Sequence, residues 1–98
     1  MINHIVLFRF HPEASTDTVD ELATVLTTVA ASVEGVEEYR LGRDLGFRHG
    51  NDDFAIVSRF RDREAFDAYL SHPEHLAALA KYGPVLVAEK HSVQFDGS

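Results

Sequence analysis

The chain has 98 residues, of which 45% are hydrophobic, with a formal charge of −7 and no cysteine. That is enough chain for one core and too little for two domains, and too apolar for a disordered segment. The acidic balance argues against a nucleic-acid partner, the missing cysteine excludes disulfides and thiolate chemistry, and no apolar run reaches the length of a membrane span. The start, MINHIVLFRF, is interrupted by Arg9 and lacks a basic leader and a cleavage site, so it reads as a strand and not a signal peptide, and a cytoplasmic location is expected.

Residues 3–10 form the first predicted strand. His4, Val6, Phe8 and Phe10 point one way, and Asn3, Ile5, Leu7 and Arg9 the other. After a connection containing Pro12, Ser15 or Thr16 is placed to cap a helix. Val19, Leu22, Ala23, Leu26, Val29, Ala30 and Val33 then recur at helical spacing, which predicts a helix from about Asp17 to about Val33 with Gly35 as its stop. Residues 36–44 read as a second strand, the polar stretch 46–53 as a turn, and residues 54–60 as a third strand with Phe54, Ile56, Ser58 and Phe60 on one face. Asp62 caps a short helix through Leu70 that turns Phe66, Tyr69 and Leu70 inward. His72-Pro73 breaks it, and Pro73 starts a new helical turn. Gly83-Pro84 is expected to break the chain again, with Pro84 to Lys90 as one more helical turn and residues 91–95 as the last strand.

The order β-α-β-β-α-β predicts an α+β, ferredoxin-like protomer: a four-stranded antiparallel sheet with helices on one face. Helices cover only that side, yet Ile5, Leu7, Ala55 and Val57 make the other side apolar too. Leaving large aliphatics in water forgoes roughly 1.5–3 kcal/mol each. A second copy packing sheet against sheet is the simplest cover, so a homodimer is expected, the competing arrangement being terminal segments folded over this face.

The segment Tyr69-Leu70-Ser71-His72-Pro73-Glu74-His75 brings a phenol and two imidazoles into one broken helical region. With Pro73 as the first helical position, His72 is the cap and His75 lies in the first turn. The positive end of the helix there disfavours an imidazolium and leaves a neutral base. His4 on the inward face of strand 1 is the third candidate. The expected pocket is apolar, lined by Val6, Phe8, Leu26, Ile56 and Phe66, with His72 at its edge, and suits a hydrophobic small molecule. Plainer roles compete: a packed Tyr69, a capping His72, a strand-edge His4. His72 and His75 supply two metal-type ligands but the sequence offers no third, so neither a metal nor another cofactor is expected.

HIVLFRF at the start and YLSHPEH after the third strand resemble the stress-responsive A/B barrel domain, or Dabb, family, and the likeness spans nearly the whole chain. It implies a single such domain over residues 1–98 and a dimeric α/β barrel. Some members of that family are plant stress proteins. Another is a cofactor-independent polyketide cyclase in which a tyrosine and a histidine around the HPxH element act on a poly-β-keto chain, at positions matching Tyr69 and His75, with a strand-1 histidine matching His4. The cyclase type carries a further tyrosine where Leu26 stands and a histidine where Phe54 stands, so this pocket is expected to be more apolar. The resemblance therefore leaves a cyclase or related lyase or isomerase, a non-catalytic binding or stress-response dimer, and a structural dimer as competing functions.

Overall fold

The computed structural model describes residues 1–97. The elements follow in the order β1 (Ile2–Phe10), α1 (Thr16–Ser32), β2 (Val36–Arg43), β3 (Phe54–Phe60), α2 (Arg63–Leu70), α3 (Pro73–Leu86) and β4 (Val87–Asp96). The strands form one antiparallel sheet in the order β2-β3-β1-β4, the ferredoxin-like plan, with the helices on one side. No helix is long and apolar enough to cross a membrane among the described residues.

The alternation along β1 decides which groups reach the core. His4, Val6 and Phe8 are buried beneath the helices, while Leu7 is exposed. β1 pairs with β3 so that His4 faces Ser58, Val6 faces Ile56 and Phe8 faces Phe54. Paired residues share a face, so β3 continues the same inward set. α1 closes over it with Val19, Leu22, Leu26 and Val29. Its start is fixed by Ser15, whose hydroxyl accepts from the Thr18 backbone N–H at 3.1 Å. Gly35 turns the chain into β2 with φ +92°, and a Cβ there would sit 2.6 Å from the Cβ of Ala65. Only glycine meets both conditions at ordinary cost.

Three expectations are corrected. Gly83-Pro84 does not break the chain, because α3 runs through it to Leu86. Pro84 lies in the last turn, and the residue before it has no Cβ to clash with the proline ring. The stretch leading to Lys90 is accordingly not a further helical turn: β4 begins at Val87 and is far longer than residues 91–95. In α2 the fully inward residues are Ala65 and Tyr69, while Phe66 and Leu70 are half-buried at the edge of the core.

Candidate functional site

Three elements converge between the sheet and the helices. His4 comes from β1, Tyr69 from the end of α2, and His75 from the first turn of α3. The break at His72-Pro73 lets the last two meet: their ring centroids are 4.5 Å apart. His4, Tyr69 and His75 line one pocket with Val6, Phe8, Leu26 and Ile56, and with Leu79 and Lys90 at its edge. The first seven are buried, Leu79 is half-buried and Lys90 is exposed, so these last two mark the route to solvent. The cavity volume is about 20 Å³. That admits one water, whereas organic ligands occupy pockets of roughly 300–1,000 Å³. The expected pocket lining is largely assembled, but the space is closed.

Hydrogen bonding fixes the protons. His75 Nδ1 lies 3.2 Å from the Leu70 carbonyl oxygen. A carbonyl only accepts, so Nδ1–H donates and Nε2 keeps the lone pair. At His4 the Gln94 amide nitrogen donates to Nδ1 at 3.0 Å, which puts the ring proton of neutral His4 on Nε2. The two imidazoles thus carry opposite tautomers, one a base and the other a donor. Burial lowers the pKa of His4 to about 4, and Lys90 and His75 push the same way. His75 is also lowered, first by burial and then by the Lys90 and His72 charges, against the opposing bond to Leu70. Both rings are neutral near pH 7. For His75 the leading cause is loss of water, and not the helix terminus expected from the sequence.

The Tyr69 hydroxyl is 2.6 Å from that of Tyr39 on β2. Burial raises both phenols above their ordinary range, so both stay protonated. If Tyr39 donates to Tyr69, the Tyr69 O–H is released to donate elsewhere.

Two expected pocket residues lie elsewhere. Phe66 packs edge-on against His4, with centroids 5.2 Å apart, and against Phe60 at 5.4 Å. It braces the back of the His4 ring, and its outer side lines a separate depression with Ile2, Arg63 and Phe95. His72 caps α3: its Nδ1 accepts from the Glu74 backbone N–H at 3.1 Å, and its Nε2 is 3.5 Å from the Ser32 hydroxyl. Both ring nitrogens are engaged in joining α3 to the end of α1. Phe54 is buried in the core, stacked on Phe8 with ring centroids 6.3 Å apart and tilted against Phe10 at 5.7 Å. No local sequence pattern singles out Tyr39, Gln94 or Lys90. The register of β4 on β1 places Lys90 opposite Phe8 and Gln94 opposite His4, on the inner face.

A family model for the stress-responsive A/B barrel domain matches residues 2–96. An uncharacterised protein of Streptomyces coelicolor is 32% identical over 82 residues, covering 82% of this chain and 84% of that protein. The crystal structure of a dimeric ferredoxin-like protein of unknown function from Thermobifida fusca is 38% identical, with TM-score 0.88, covering 98% of this chain and 90% of that one. A hydroxynitrile lyase from Passiflora edulis shares the fold at 19% identity and TM-score 0.83, covering 99% of this chain and 93% of that one. The chain therefore belongs to the stress-responsive A/B barrel domain family.

Proposed function

We propose that the protein is a homodimer, joined through the outer sheet faces, that performs acid–base chemistry on a carbonyl compound in the pocket of His4, Tyr69 and His75. The observation that carries this reading is the pair of buried neutral imidazoles with opposite tautomers around one pocket. In this reading His75 Nε2 removes a proton from the carbon next to a carbonyl. The C–H electrons pass to the carbonyl oxygen, and Tyr69 O–H donates a hydrogen bond to the resulting enolate. Attack of that carbon on a second carbonyl of the same molecule closes a ring. The new alkoxide takes a proton from the imidazolium of His75, which returns to its neutral form, while His4 Nε2–H orients the second oxygen. The C–H bond and one C=O π bond are exchanged for a C–C and an O–H bond within one molecule, the proton returns from His75, and no net oxidation occurs, so the chemistry balances without a cofactor. A polyketide-like chain supplies the two carbonyls and the apolar body that Val6, Phe8, Leu26 and Ile56 would hold.

Entry requires the closed pocket to widen, and movement of Leu79 and Lys90, its two lining residues that reach solvent, would open it. The test is a screen of β-polyketo and related carbonyl compounds with wild type beside His75→Ala. Turnover should fall roughly 10²-fold or more in the variant, a usual contribution of a positioned base. In wild type it should rise with pH through a value below the ordinary ~6.5 of histidine. Equal turnover in the two proteins removes His75 from the mechanism. Binding without turnover in either leaves the non-catalytic binding dimer as the better reading.

A further inference from the structure

The mouth of the pocket carries a cation that the acid–base reading does not use. Lys90 sits on β4 opposite Phe8, and so on the inner side of the sheet. β4 is an edge strand, and its inward positions Lys90, Ser92 and Gln94 are all exposed. The Lys90 side chain lines the pocket beside His4, His75 and Leu79. It is close enough to depress the protonation of both histidines. Among the described residues it takes part in none of the ion pairs; Arg48 and Lys81 also stand outside them, but of these three cations Lys90 alone lines the pocket. Lysines often blunt exposed strand edges, but that role does not require the side chain to lie across the opening of a buried pocket.

We propose that Lys90 selects a substrate that carries a carboxylate, holding that group at the mouth while the carbonyl end enters between His4, Tyr69 and His75. The substrate class is then a keto acid and not a neutral ketone. This rests on the reading of the pocket as the substrate site. Three features support it. The chain is acidic overall, with a formal charge of −7, so an anion approaches against the general field unless a local cation receives it. An ammonium on a flexible stem can follow a group that moves as the pocket opens. The interior offers two neutral imidazoles and a phenol but no cation, so the charged end of an acid has its best partner at the edge. The carboxylate also offsets the Lys90 charge that disfavours an imidazolium at His75, so binding makes that base easier to protonate.

The test compares matched probes by binding, not by turnover. Acetoacetate and its methyl ester have the same keto group and differ in charge. Each is titrated into the full chain with isotope-labelled histidine, and the ring signals of His4 and His75 are followed by NMR. Wild type should bind the acid about tenfold more tightly than the ester, the scale of a charge-assisted contact at a partly shielded site. Lys90→Gln should bring the two affinities within about twofold, and Lys90→Arg should keep most of the preference. Equal affinities in wild type overturn the proposal. So does an unchanged preference in Lys90→Gln, or ring signals that respond to neither probe. A phosphonate analogue that binds wild type tenfold better than acetoacetate overturns the carboxylate assignment. A Lys90-dependent preference without turnover of any acid sustains this inference while removing the catalytic reading.

Discussion

The inner and outer faces of the sheet are written by the same alternation in the same strands, and they end in opposite states. On the inner side His4, Val6, Phe8, Ile56, Ser58 and Phe60 are at most 7% exposed. On the outer side no helix lies over Ile5, Leu7, Ala55 and Val57, and β4 adds Val93 and Phe95, which are 54% and 52% exposed. The inner face therefore combines polar rings with an apolar wall, and each ring is hydrogen-bonded within the chain. The outer face has an aliphatic and aromatic centre with charge pairs at its margins. Arg40 meets Glu38 at 2.7 Å on one side, and Arg9 meets Glu89 and Asp52 at 3.6 Å on the other. An apolar centre inside a polar rim is the usual anatomy of a protein interface. The contrast teaches that apolar content alone does not identify the core. Where the helices land decides which apolar face is satisfied within the chain and which needs a partner.

The largest expected effect breaks the outer face. Val57 lies between Ile5 on β1 and Arg40 on β2. In Val57→Asp a second copy would bury a carboxylate with little to pair it, which costs several kcal/mol per buried ion. Within a single chain that position is only partly buried and Arg40 is its neighbour, so the protomer should stay folded. Light scattering should show wild type at twice the protomer mass and Val57→Asp at the protomer mass, with unchanged circular dichroism. A monomeric wild type at micromolar concentration would mean that the outer face is tolerated in water.

The next expectation belongs to the inner face and appears in acid. Unfolded, His4 and His75 titrate near the ordinary 6.5; folded, His4 is lowered to about 4 and His75 is also lowered. Below pH 6.5 the unfolded chain takes up protons that the folded chain refuses, so stability is lost as the pH falls from about 6.5 towards 4. The His4 share of that loss is on the order of 2–3 kcal/mol. Urea denaturation at pH 7.5, 5.5 and 4.5 measures it. His4→Gln should be less stable than wild type at pH 7.5 and should lose less between the three values. An unchanged pH slope in His4→Gln would mean that His4 charges without penalty, and that its ring is wetter than its 7% exposure implies.

The sequence carries the fold well because three local signals agree. The alternation in β1 and β3, the helical spacing of Val19 to Val29, and the His72-Pro73 break all act within a few residues. They also suffice to bring His4, Tyr69 and His75 to one place. Lys90 escapes for a definite reason: reading Gly83-Pro84 as a break moves the start of β4 to residue 91 and leaves Lys90 outside the strand; Gln94 lies inside the expected strand, but its place beside His4 comes from pairing across 90 positions of chain, which no local pattern reports. Tyr39 escapes because its importance comes from a partner 30 positions away in sequence, which no local pattern reports. Phe66 and His72 are misplaced by the opposite error. Each lies three positions from Tyr69 in the chain, but α2 points Phe66 to the back of His4, and the capping geometry uses both nitrogens of His72. The closure of the pocket depends on side-chain packing among Leu26, Leu79 and the aromatic rings, and spacing says nothing about it.

The smallest expected effect sharpens the contrast on the inner side. Tyr39 and Tyr69 share one hydrogen bond at 2.6 Å between half-buried or buried rings. Tyr39→Phe keeps the ring and removes one partner, so the Tyr69 hydroxyl loses its bond in a place with little access to water. The cost should be about 1 kcal/mol, the net worth of such a bond, with some addition for the stranded group. Tyr69→Phe should cost a similar amount for the mirror-image reason. The double variant removes both hydroxyls and strands neither, so it should be destabilised by clearly less than the sum of the single changes. Urea denaturation of the four proteins gives this coupling directly. Strict additivity would mean that each hydroxyl is satisfied independently, by water entering the pocket. The inner face would then be open in solution, and its difference from the outer face would be one of degree.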